Sequence, residues 1–123
     1  MSKHKVSFKS LLPYSLIVIL IAITLLSLLP PKSSINLGSQ DKASHFIAYF
    51  FLTINTLLIS EKHIKSILLI ILYGIILEYL QSFVPGRFPA YNDIIANSLG
   101  SLSGLIIILI SSKKFKRNDT LNV

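Results

Sequence analysis

Nineteen consecutive residues without a charge, Leu11 to Leu29, limit what this chain can fold into more than any other feature. Only Pro13, Tyr14, Ser15, Thr24 and Ser27 interrupt the apolar run. A helix needs roughly 20 mainly apolar residues to cross about 30 Å of hydrocarbon, so this stretch is long enough to span a bilayer. Three further stretches read the same way. Lys42 to Ser60 is apolar apart from its ends and His45, Thr53, Asn55 and Thr56. Ser66 to Phe83 carries Glu78 and Gln81 near its end, and Asp93 to Ser112 is polar at its start and then almost purely Ile and Leu. The pattern predicts an all-α integral membrane bundle of four transmembrane helices, a single domain over residues 1–123. Composition agrees: 52% of residues are hydrophobic and 14% charged, where a soluble domain usually carries about 25% charged residues. There is no cysteine, so disulfides and thiolate metal sites are excluded.

The first span exceeds the usual apolar core of a signal peptide, and no small-x-small cleavage motif follows it, so it is expected to remain as a membrane helix. Direction follows from Lys and Arg. Lys3, Lys5, Lys9, Lys62, Lys65, Lys113, Lys114, Lys116 and Arg117 fall on one side, against Lys32, Lys42 and Arg87 on the other, nine to three. Both termini and the middle turn are therefore expected in the cytoplasm, in a multi-pass protein of the cell membrane. The net charge of +7 would otherwise point to nucleic acid. Its placement beside the spans assigns it to orientation and anionic head groups instead.

With that topology the polar residues converge. Asp41, His45 and Tyr49 share one face of the second helix at i, i+4 spacing, with Lys42 beside them. Glu78 and Gln81 lie near the outer end of the third helix, Arg87 in the outer turn, and Asn92, Asp93 and Asn97 at the start of the fourth. Glu78, about five residues inside its helix, needs a partner there, for which Arg87, Lys42 and His45 are candidates. Asp41 and Asp93 have a simpler explanation at helix N-termini, where carboxylates meet the positive dipole end. Arg87 has one in reaching for the interface. Asn97, Gly100, Ser101 and Gly104 line one side of the fourth helix, and Gly100 and Gly104 have the spacing that lets helices approach closely. Gly74, one turn before Glu78, can do the same for the third helix.

Three blocks of residues carry a family resemblance: Asp41-Lys42-x-x-His45-Phe46-x-x-Tyr49, then Glu78-x-x-Gln81-x-Phe83-Val84-Pro85-Gly86-Arg87, then Asp93-x-x-x-Asn97-x-x-Gly100-x-x-x-Gly104. Their order and spacing resemble the signature of the VanZ-like family, with a hydrophobic first helix before them as in that family. The resemblance covers about Asp41 to Gly104. It implies a small bacterial membrane protein of the class first associated with glycopeptide (teicoplanin) resistance. One departure is Phe88-Pro89-Ala90-Tyr91, where many relatives have a shorter polar run with Ser before the Asp.

The residues are compatible with an outer-leaflet site that binds or acts on a cell-envelope component such as an anionic lipid-linked precursor. Lys42 and Arg87 would hold phosphate. His45 would be general acid or base, since imidazole exchanges protons near neutral pH. Glu78, withdrawn from water, would share that role, Asp41 would orient His45, and Tyr49, Gln81, Asp93 and Asn97 would complete the binding surface. No nucleophile is evident, so the residues leave open whether the site reacts or only binds, and no cofactor is expected. The alternative is a non-catalytic scaffold or partner-binding protein in which the same cluster locks helices together. A metal site built from Asp41, His45, Glu78 and Asp93 fits less well, having one histidine and no zinc-like spacing. A transporter lacks a polar path across the bilayer.

Overall fold

A computed structural model describes residues 7–30 and 38–122, with side chains from 42 onward in the second segment. Lys3, Lys5 and Lys32, and the side chain of Asp41, lie outside the described residues. Four helices follow one another: α1 Phe8–Leu28, α2 Gly38–Ile59, α3 His63–Gln81 and α4 Tyr91–Leu121. All four are long and apolar enough to cross a membrane. They alternate in direction, so the ends of α1 and α3 and the starts of α2 and α4 gather at one end of the bundle. The short turn between α2 and α3 lies at the other.

Every helix begins earlier than the apolar runs predict and α4 also ends later, while α1, α2 and α3 end one or two residues sooner. Hydropathy locates where a chain becomes too polar for lipid, whereas a helix continues until something stops its backbone. This is clearest in α4, expected to end near Ser112 and instead running to Leu121, 31 residues in all. Lys113 to Arg117 contain no Gly or Pro, and charged and straight-chain residues propagate a helix in water as well as alanine nearly does. At 1.5 Å per residue α4 is about 46 Å long, well beyond the hydrocarbon core.

α2 and α4 form the closest pair, and glycine is the reason. A Cβ on Gly100 would collide with the backbone carbonyl of Phe46. One on Gly104 would lie 3.0 Å from both the Phe50 carbonyl oxygen and the Thr53 side chain. The Gly100/Gly104 spacing is therefore spent inside the chain. Asn97, Gly100, Ser101 and Gly104 are all buried, as the small-residue stripe predicts.

α1 packs on α2 and α3 and does not meet α4. It buries only Leu12 and Ile23, and polar stitches supplement that apolar contact. The Thr24 hydroxyl and the Tyr73 hydroxyl lie 2.7 Å apart, and Tyr73 also donates to the Leu20 carbonyl. Asn55 of α2 donates to the Ser15 hydroxyl. The apolar core sits in two parts. Ile23, Tyr49, Leu52, Ile70 and Leu77 lie toward the polar end, and Leu57, Ile67 and Ile108 toward the other. Large apolar side chains such as Val18, Leu68, Ile75 and Ile106 cover the outside, as a lipid-facing surface requires.

Candidate functional site

Every charged residue that the sequence places within a span lies at one end of the bundle. Its centre is His45, the second turn of α2 into the membrane. The His45 ring is 14% exposed and sits between two side chains of α4. Nδ1 is 2.9 Å from Asn97 Oδ1, and Nε2 is 3.8 Å from Asp93 Oδ2. Asp93 and Asn97 are one turn apart, so both project to the same face of α4, and the close α2–α4 approach brings that face against His45. Asp93 also stands in the first turn of α4, where a carboxylate meets the positive end of the helix dipole. The helix-end position and the approach to His45 coincide in this residue.

One turn deeper, Tyr49 is 2% exposed and leans on Tyr73, ring centroids 6.1 Å apart. Gly74 makes this possible: a Cβ there would lie 3.1 Å from Tyr49 Cε1 and 3.2 Å from Asn97 Nδ2. Tyr49 is therefore part of the packed floor beneath His45, with only part of its surface facing the cleft described below.

Glu78 is 4% exposed, and its Oε1 accepts a hydrogen bond of 2.7 Å from the Ala90 N–H. Of the cations expected to neutralise it, Arg87 has its guanidinium engaged with other acceptors. Arg87 turns toward α1 instead. Its Nε donates to the Leu29 carbonyl and its Nη2 to the Leu26 carbonyl, each at 2.8 Å. Gln81 Nε2 donates to the Ser27 carbonyl at 3.0 Å. The last carbonyls of a helix have no partner within it, and a cationic donor there also suits the negative dipole end. Arg87 is thus a cap for α1 borrowed from the α3–α4 turn, rather than a group that merely reaches for the interface. Lys42 is exposed and contributes to none of these contacts.

The Arg87 cap predicts a local result. Replacing it with Ala should loosen the last turn of α1 and speed hydrogen exchange around Leu29, leaving α2 and α4 unchanged. Lys should restore only part of the protection, because one ammonium cannot reproduce the planar two-nitrogen fork. Equal exchange in all three proteins would show that the cap contributes nothing.

An open cleft of about 150 Å³ lies between these elements. Ser44, His45, Ala48 and Tyr49 of α2 form one wall and Ile23, Leu26 and Ser27 of α1 the other, with Gln81 and Arg87 closing the end. Ser44 and the whole α1 wall were not among the residues that sequence reasoning selected. Ser44 offered no sign beyond adjacency to His45. The α1 contribution depends on which face of α1 packs against α2 and α3, which no residue letter announces. Among the described residues, no three His, Cys, Asp or Glu side chains gather closely enough to hold a metal ion. Asn97 and Asp93 flank the His45 ring, and the orienting role expected of Asp41 falls on a side chain outside the described residues.

Four antiparallel, lipid-facing helices with a polar cleft at one end define a polytopic α-helical membrane protein. The chain belongs to the VanZ/LLP1 family, whose model matches residues 2–112. The match takes in α1 as well as the three signature blocks, and it ends at Ser112, where the apolar part of α4 gives way to its basic extension. No curated protein and no solved structure matches the chain.

Proposed function

We propose that the cleft binds the polar head of a cell-envelope amphiphile at the outer face of the cell membrane, with His45 placed to exchange a proton with it. The observation that carries this reading is a histidine in the wall of an open cleft, flanked by Asn97 and Asp93. The walls suit an amphiphile, with Ser44, His45 and Arg87 on the polar side and Ile23, Leu26 and Ala48 on the apolar side. The nine-to-three bias of Lys and Arg supports an outward-facing cleft. At about 150 Å³ the space is well below that of a site for a drug-sized ligand. It takes a phosphate or one sugar ring, and a whole glycopeptide does not fit. Any lowering of glycopeptide susceptibility by this protein would therefore pass through the envelope component.

A second reading rests on a different observation. Glu78, Gln81 and Arg87 each hydrogen-bond a backbone group of a neighbouring element. On this reading the three serve to lock the helices together, and any binding role contracts to His45, Ser44 and the groups beside the ring. If the lock is the whole story, the protein is a membrane scaffold.

The test is teicoplanin susceptibility in a Gram-positive host expressing wild type or His45→Ala, with the amount of membrane protein measured on the same cells. Protection by wild type that disappears in His45→Ala at equal protein amount supports the binding site. Loss of the protein itself supports the scaffold. Protection that survives at equal amount removes His45 from the function.

A further inference from the structure

The end of the bundle opposite the cleft carries seven described cations, Lys9, Lys62, Lys65, Lys113, Lys114, Lys116 and Arg117, against two acids, Glu61 and Asp119. All seven are exposed, and among the described residues none makes an ion pair. Four of them lie on the extension of α4. Because α4 continues unbroken to Leu121, the position of each along the helix gives its height. Lys113, Lys114, Lys116 and Arg117 rise about 1.5 to 7.5 Å past Ser112, and Asp119 about 10 Å. The head-group layer on each face of a bilayer is about 5–7 Å deep. With Ser112 at the hydrocarbon edge and the helix upright, the cations would lie at about the depth of that layer and the acid beyond it.

We infer that this end is a binding collar for anionic lipid head groups, with the α4 extension as its main arm. A continuous helix holds the four charges at fixed height, so they meet phosphates without the ordering cost that a flexible basic tail would incur. Lys9 and the turn cations Lys62 and Lys65 complete the ring at the starts of α1 and α3. The arm is a feature of this chain outside the family match, which stops at Ser112. The inference depends neither on the cleft nor on which face of the membrane the collar occupies. Nucleic acid is disfavoured by the same geometry, since a polyanion in water would have to compete for charges already seated among lipid phosphates.

The experiment uses the full chain, purified in detergent, stripped of lipid and offered equimolar phosphatidylglycerol and phosphatidylcholine. Lipids retained on the folded protein are then counted by native mass spectrometry. Wild type should retain phosphatidylglycerol about fivefold or more over phosphatidylcholine, the scale expected of even one cation at an anionic surface. The quadruple variant Lys113→Gln, Lys114→Gln, Lys116→Gln, Arg117→Gln should lose most of that enrichment, keeping only the share that Lys9, Lys62 and Lys65 supply. A triple Lys→Arg variant at 113, 114 and 116 should keep the enrichment, and raised salt should reduce it in both basic proteins. Equal retention of the two lipids by wild type overturns the inference. So does enrichment undiminished by the Gln substitutions, which would locate the lipid away from the α4 arm, or displacement of phosphatidylglycerol by an added oligonucleotide. Circular dichroism of each variant checks the fold.

Discussion

Gly100→Ala should remove most of the folded protein from the membrane. In an exposed helix interior this change stabilises by about 1 kcal/mol, because alanine is the better helix former. Here the sign reverses. The added methyl would sit within the van der Waals envelope of the Phe46 carbonyl oxygen, a backbone atom that cannot rotate aside. Over-packing a close contact costs typically about 1–3 kcal/mol, and a clash with backbone falls at or above the upper end. The only relief is to part α2 from α4, which also separates His45 from Asp93 and Asn97. Gly104→Ala should cost less, since part of what its Cβ meets at 3.0 Å is the Thr53 side chain. Gly74→Ala should cost least, meeting side chains alone. Thermal unfolding in detergent should rank the proteins wild type, Gly74→Ala, Gly104→Ala, Gly100→Ala from most to least stable. A Gly100→Ala protein as stable as wild type would mean that the α2–α4 approach is looser than described.

The second large effect separates two substitutions at one residue. Glu78→Ala should destabilise the protein by about 1–3 kcal/mol or more, because it strands the Ala90 N–H just before α4 begins. Glu78→Gln keeps a carbonyl oxygen for that donor and should retain most of the protein in the membrane. If the Gln protein also keeps whatever activity the wild type has, the charge of Glu78 is not used. In that case its task is to tie the α3–α4 turn to α3. A Gln protein that accumulates normally but has lost activity would return Glu78 to the chemistry and enlarge the site beyond His45. Matched membrane levels and susceptibility on the same samples distinguish these outcomes.

How much of this was legible beforehand differs by residue. His45, Asp93 and Asn97 were selected from helical spacing, and they do meet. Their meeting needed the Gly100/Gly104 stripe, which was visible, and the choice of α2 as its partner, which was not. Arg87 and Gln81 were also selected, but the α1 carbonyls they bond were not foreseen. Reasoning from side-chain charge sends a guanidinium to a carboxylate, whereas here it goes to the free carbonyls of α1. Every helix C-terminus has such carbonyls, but only tertiary packing decides which donor lies near enough to use them.

By itself the sequence determined that there are four membrane helices, and at which end their polar groups cluster. Apolar run length and residue placement along a helix are one-dimensional properties, and hydrocarbon enforces them without reference to neighbours. Only the tertiary structure decided which helices touch and which polar groups are consumed in holding them. It also decided that a cleft opens between α1 and α2. Those outcomes depend on helix rotation and separation, set by where a missing Cβ lets backbones meet, and hydrophobic pattern alone does not specify them when lipid and protein interior are equally apolar.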